Sequence, residues 1–469
     1  MLKEAANILK ERIPFIPAQD LHAMPEKYSG GKRKRYVEAV DKFVRYGLHK
    51  GDAHCAMFVK ADRFDASAKV NPDPRAIQFR GAKYCVALAQ FLQPIEHHIY
   101  ELDIFSRGVP PSRNIAKGLN SMQRAELLRR KMSHFDSPVV VSLDASRWDK
   151  HVSAEALKVE HSVYRAANPD RFFAYLLTLQ LINVVHAREG LKYVAEGRRM
   201  SGDMNTALGN CLLMLLMLLA FSKFMDFERW DCLDDGDDCL LILELEDLQR
   251  MRGSIADVFL GYGMVLKVEN VAYSLHEVVF CKSSVIEVAD ARVKFVRDYR
   301  VVISKALTGI RHWQDPNYRI KVLRANGLCE LVLNLGVPVL QSFAMCILRN
   351  VGRKGDVQLA TDQYQYRVSR ELKGLGIKLV DVKPRDVTWA ARESFATAFG
   401  LDINDQLLYE RFFEAWTFDV RGLNHFGDEW DVESWLSYQS NAEVYPMRFN
   451  GESKSNQTEK DACQASSCS

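Results

Sequence analysis

Three stretches of the chain predict a mixed α+β fold. Val139 to Leu143 is a β-branched run behind Pro138 and reads as a buried strand. Leu233-Asp234-Asp235-Gly236-Asp237-Asp238-Cys239-Leu240 sets an Asp-Gly turn between two runs able to form strands, the strongest short hairpin signal. Cys211 to Phe221 is continuously apolar and reads as a helix packed under the sheet that such strands build. At 469 residues the chain exceeds one simple core, so several subdomains around a central sheet are expected.

The predicted strands end in acids. Asp144 closes the first, with Asp149 shortly after it, and Asp237 and Asp238 sit at the tip of the hairpin. A Gly-Asp-Asp triplet alone is as readily a solvated surface turn. The carboxylate at the end of a second strand gives it weight, because Asp144, Asp237 and Asp238 together form a hard-oxygen cluster suited to Mg²⁺, with Mn²⁺ as the alternative.

Between these acids lies Ser201-Gly202-Asp203-Met204-Asn205-Thr206-Ala207-Leu208-Gly209-Asn210, a glycine-containing loop that runs into the apolar stretch. If a helix starts near Met204, Thr206 and Asn210 share one face and present a hydroxyl and an amide together. Such a pair suits a 2′-hydroxyl, which both donates and accepts, and Asp149 can accept its hydrogen bond. The plainer reading is an N-cap followed by a core helix.

In their order along the chain, Asp144 with Asp149, Ser201-Gly202 with Thr206 and Asn210, and Gly236-Asp237-Asp238 resemble motifs A, B and C of viral RNA-dependent RNA polymerases. Leu143-Asp144-Ala145-Ser146-Arg147 and Met200-Ser201-Gly202-Asp203-Met204-Asn205-Thr206 are similar almost letter for letter to the tombusvirus-like group of positive-strand RNA viruses. Lys267 resembles the motif D lysine, and Phe280-Cys281-Lys282-Ser283 resembles motif E. Phe58-Val59-Lys60 and the segment from Lys69 to Arg80 resemble motif F, while Tyr28-Ser29-Gly30 with Tyr36 and Ala39 is similar to an amino-terminal block of the group. The resemblance spans about the first two thirds of the chain. It departs at Asp234-Asp235, where an apolar or amide residue more often precedes the Gly-Asp-Asp, and this added negative charge is expected to alter metal preference.

The resemblance implies a right-hand polymerase that replicates a positive-strand viral genome from NTPs. Fingers are expected over 1–137, with the basic motif F at about 58–83. The palm, an antiparallel sheet backed by helices, is expected over 138–300, with part of 150–200 returning to the fingers. A mainly helical thumb over 301–446 and a disordered tail over 447–469 complete it. Asp144, Asp237 and Asp238 would hold two Mg²⁺ ions, and Lys267 would protonate the leaving pyrophosphate, although a strand-edge lysine is as readily a solvated one. Lys69, Arg75 and Arg80 would hold the triphosphate. Asp149, Thr206 and Asn210 would select ribose, and Ser201 and Gly202 would let their loop move beside the templating base. Lys60, Lys32, Arg33, Cys281 and Lys282 would contact RNA. Two rival readings are a reverse transcriptase, opposed by Gly236 and the Asp149/Asn210 pair, and a catalytically silent RNA-binding scaffold, opposed by the intact acids.

Composition agrees with an RNA partner. The net charge of +3 is slight but uneven, with Gly31-Lys32-Arg33-Lys34-Arg35 followed by further cations up to Lys83. The run at 32–35 also fits a nuclear localisation signal or plain solvated surface. Ten cysteines show no Cys-x-x-Cys spacing and read as small hydrophobes of a reducing compartment, which argues against a disulfide scaffold or a zinc ribbon. The apolar run 211–221 falls short of the ~20 residues a membrane span needs. Membrane attachment at replication sites in the host cytoplasm is therefore expected through a partner, such as a viral accessory replication protein. Apolar spacing predicts helices over Tyr318 to Leu333 and Pro338 to Leu348, interrupted by Gly336 and Pro338.

Overall fold

The computed structural model describes residues 1–60, 73–187, 190–308, 313, 315–352 and 362–420. Lys69, most of the segment joining the two halves of the expected motif F, the end of the expected thumb and the tail lie outside the described residues.

The fold is mixed α+β with three sheets. The first contains β1 (Cys55–Val59), β2 (Ala76–Arg80), β4 (Ile182–Ala187) and β5 (Lys192–Glu196) in the order β2-β1-β4-β5, antiparallel except for the parallel β1·β4 pair. The second, fully antiparallel, contains β3 (Pro138–Ala145), β6 (Trp230–Asp234), β7 (Asp238–Glu244) and β8 (Leu266–Ala272) in the order β6-β7-β3-β8. The third is β9 (Val279–Phe280), β10 (Ser283–Val288) and β11 (Arg292–Arg297).

The second sheet is covered on both faces. Val139, Val141 and Leu143 of β3 join a core that includes the helix Thr206–Met225, whereas Val140 lies with Leu240, Ile242, Phe280 and Val285 in a separate cluster on the other face. Two-sided burial explains why β3 reads as a continuous β-branched run rather than an alternating one. Pro138 is the first residue of β3, a position that tolerates a missing N–H.

The helix is longer than its most apolar stretch suggests. Its 20 residues are long and apolar enough to cross a bilayer, but 78% of that apolar window is buried inside the fold, so burial and not length identifies it as a core helix. Farther along, helices Pro316–Leu333 and Leu340–Val351 occupy the two predicted stretches, and the break between them falls at Asn334 to Val339. Among the described residues eight cysteines are free, seven of them buried.

Candidate active site

One row of side chains crosses the second sheet. Asp144, next to last in β3, is directly opposite Asp238 of β7 on one side and Lys267 of β8 on the other. Directly opposed residues project to the same face, so two carboxylates and an ammonium share one surface. Asp237 completes the acids from the hairpin tip. There Asp235 N–H donates to the Asp238 carbonyl at 2.9 Å, leaving Gly236 and Asp237 as the two loop residues. Gly236 has φ 107°, and a Cβ there would lie 3.4 Å from Asn210 Cβ, so the turn needs glycine for its backbone and stands against the start of the long helix.

Burial and the like charges of Asp237 and Asp144 push the Asp238 carboxyl up to about 6. Glu269 adds to this repulsion, an acid that sequence reasoning passed over. Its signal was its place two residues after Lys267; a shift of register near Ser142 and Leu143 leaves it between the β8 residues that oppose them. Among the described residues no three His, Cys, Asp or Glu side chains converge closely enough to hold an ion as they stand. Three mutually repelling carboxylates nevertheless make a donor set that suits a hard, oxygen-seeking cation.

Of the two acids before the turn, Asp235 does add to the negative charge felt at Asp238. Complete burial raises the Asp234 carboxyl well above its ordinary range, and it accepts the Gly236 N–H at 3.1 Å. Burial would raise Asp235 as well, but the charges of Arg124 and Lys117 outweigh it and hold the carboxyl low, through ion pairs of 2.9 and 2.8 Å. Both acids brace the turn.

Asp149 lies not at the strand end but on the short helix Trp148–His151, reached through Arg147 in the left-handed region at φ 51°. Its carboxylate accepts from Asn210 Nδ2 at 3.2 Å, bringing together the pair expected to read a 2′-hydroxyl. Burial raises Asp149, opposed by that bond and by the positive charges of Arg199 and Arg75. The helix begins at Thr206, slightly later than expected, and Thr206 Oγ1 donates to the Met200 carbonyl at 2.9 Å, closing the loop before it.

That loop is docked on β2. Gly202 N–H donates to the Gln78 carbonyl at 2.7 Å, Ser201 Oγ lies 3.3 Å from Gln78 N, and a Cβ at Gly202 would strike Gln78 and Phe79. Close backbone approach is what this glycine provides.

Arg75 and Arg80 part company here. Arg75 is exposed just before β2, and its charge is felt at Asp149. Arg80, expected on the triphosphate, is only 2% exposed: it forms an ion pair with Asp203 at 2.5 Å and donates to Ala53 O at 2.7 Å. Its guanidinium is committed to riveting β2 to the loop, which replaces the phosphate role. Cys281 has a partner within the fold. In the β9–β10 turn Cys281 and Lys282 have φ of 51° and 58°, and the thiol donates to Asp235 Oδ2 at 3.2 Å. Lys282 is exposed in the same turn; Lys267 on β8 and Lys32 and Arg33 on the helix Gly30–Tyr46 are exposed too, with Lys32 Nζ 4.3 Å over the Tyr28 ring. Lys60 is half-buried, its N–H donating to the Arg75 carbonyl at 2.8 Å.

A strand-end acid, a hairpin-tip acid pair and an amide-carboxylate pair make up this candidate site. A sequence model described as viral RNA dependent RNA polymerase matches residues 1–421, which carries the likeness well past the first two thirds of the chain. The chain is similar to proteins named RNA-directed RNA polymerase: that of groundnut rosette virus (strain MC1) at 34% identity over 83% of this chain and 45% of the relative, and that of tomato bushy stunt virus (strain Cherry) at 34% over 84% and 47%. The tobacco necrosis virus (strain A) protein is 34% identical over 83% of this chain and 53% of its own. This chain belongs to the viral RNA-dependent RNA polymerase family, on its tombusvirus-like branch. It spans about half the length of the curated relatives it matches.

Proposed function

We propose that this chain carries out template-directed RNA synthesis from NTPs and so replicates a positive-strand viral genome. The observation that carries the proposal is the row Asp238, Asp144 and Lys267 across three adjacent strands, with Asp149 bonded to Asn210 beside it. In this reading 1–137 form fingers, 138–300 the palm and 301–446 the thumb.

Asp144, Asp237 and Asp238 would hold Mg²⁺, or Mn²⁺ in its place. Such ions, when bound, activate a primer 3′-hydroxyl and neutralise charge on nucleotide phosphates. The remaining work falls to the chain itself. Arg75 binds the triphosphate, Asp149 and Asn210 hold the 2′-hydroxyl, and Lys267, whose strand neighbour is Asp144, supplies a proton to the departing pyrophosphate. Ser201 and Gly202 set the loop beside the templating base, and Lys60, Lys32, Arg33 and Lys282 draw RNA in through charge. Within the same proposal a partner, such as an accessory replication protein, brings the chain to membranes in the host cytoplasm.

The test is extension of a homopolymeric RNA template by purified protein with Mg²⁺, comparing ribo- and deoxyribonucleotides. Extension that prefers ribonucleotides supports the reading. Extension with deoxyribonucleotides alone would favour reverse transcription, and no extension alongside tight RNA binding would favour a silent scaffold.

A further inference from the structure

Behind the Asp149–Asn210 pair lies a buried ion pair that the reaction scheme leaves without a task. Arg199 is 3% exposed and Glu160 is fully buried; the two guanidinium Nη atoms meet the two carboxylate oxygens, one at 3.1 Å and the other closer. Glu160 Oε1 also accepts from Tyr164 Oη at 2.9 Å and Asn205 Nδ2 at 2.8 Å. Gly209, immediately before Asn210, makes room for it, since a Cβ there would collide with both the guanidinium and the carboxylate. A buried pair of this kind is weak evidence of a stability device, because desolvating two charges offsets most of their attraction.

What distinguishes Arg199 is that it touches both members of the sugar-reading pair. Its backbone N–H donates to the Asp149 carbonyl at 2.9 Å, and its Nε donates to Asn210 Oδ1 at 3.0 Å. A guanidinium only donates, so the oxygen of the Asn210 amide must face it, and the NH₂ must then face Asp149, as it does at 3.2 Å. In the proposed role, the second N–H of that NH₂ and a carboxylate oxygen of Asp149 would then supply one donor and one acceptor, the complement of a hydroxyl. Turned over, the amide would set its oxygen against the carboxylate and offer nothing that donates.

We propose that Arg199, held by Glu160, is the positioning residue that fixes the Asn210 amide and so sets the preference for ribonucleotides. The proposal rests on the reading of Asp149 and Asn210 as the sugar-selecting pair. In Glu160→Gln/Arg199→Gln both buried charges are gone, but an amide remains near the place of Nε and can still donate to Asn210. In Glu160→Gln/Arg199→Met a methyl group takes that place.

The experiment measures single-nucleotide incorporation of a matched ribo/deoxyribo pair, with thermal melting of each variant. Expected is a ribo/deoxyribo ratio near wild type in the first double variant and about tenfold lower or more in the second, at similar melting temperatures. Equal ratios in the two, whatever their rates, would assign Arg199 to packing alone and overturn the proposal. Should the double variants fail to fold, Arg199→Lys, which keeps a cation for Glu160 but has no Nε, must lower the ratio, and an unchanged ratio overturns the proposal. Asn210→Ala separates the two levels. If it lowers the ratio while the Arg199 variants do not, the sugar pair stands and the positioning role falls; if it leaves the ratio unchanged, both fall.

Discussion

Asp238 is half-buried beside Asp237 and Asp144, and burial with their charge lifts it to about 6. If Asp238 holds the proposed Mg²⁺, protons and divalent ions compete for it. Above about pH 6 the carboxylate is already ionised and Mg²⁺ affinity should be flat, whereas below it affinity should fall about tenfold per pH unit. Asp237→Asn removes the largest like-charge contribution, so binding weakens and the break shifts to lower pH. Calorimetric titration of Mg²⁺ across this range checks the point, and an affinity that stays level through acid pH would contradict it. Gly209 gives a second prediction at the same scale: Gly209→Ala forces a methyl into the Arg199–Glu160 pair and should cost about 1–3 kcal/mol, read as a lower denaturation midpoint.

The acids were legible in the sequence because their chemistry is local, with a strand, a tight turn and carboxylates all within short runs. Partners supplied from far along the chain were not. Arg75 and Arg80 look alike in a proline-stiffened stretch, yet only Arg80 meets Asp203, 123 residues away. The burial of Asp234 and the bond from the Cys281 thiol to Asp235 both depend on the fold. The element β2 with its flanks thus yields a contrast. Arg80→Ala leaves Asp203 buried and unpaired and should destabilise by roughly 3–5 kcal/mol. Arg75→Ala, at an exposed side chain, should lower melting far less than Arg80→Ala while raising the apparent KM for nucleotide. Thermal melts and nucleotide titrations of both variants would separate them; equal melting losses would contradict the division of roles.

At the scale of the whole molecule, three sheets and their helices bring together residues from five separate stretches of a nearly neutral chain, so the proposed RNA attraction would come from local patches and not from the overall charge of +3. The exposed Lys32 to Arg35 run begins the helix Gly30–Tyr46, and Arg35 lies 5.9 Å over the Phe79 ring of β2. Replacing Lys32, Arg33 and Lys34 by Gln should weaken RNA binding and make the slope of log K against log salt shallower by about 0.7 for each single-strand phosphate that the run no longer neutralises. An unaltered slope would mark the run as ordinary solvated surface.

The most direct test of the central claim, that the acids of β3 and the hairpin perform nucleotidyl transfer, is the rate of single-nucleotide extension on a primed RNA template with Mg²⁺, for wild type and Asp237→Asn, with RNA affinity measured on the same samples. The account predicts extension by wild type and a loss of roughly 10³-fold or more in the variant at nearly unchanged RNA affinity. Extension by Asp237→Asn at the wild-type rate would contradict it.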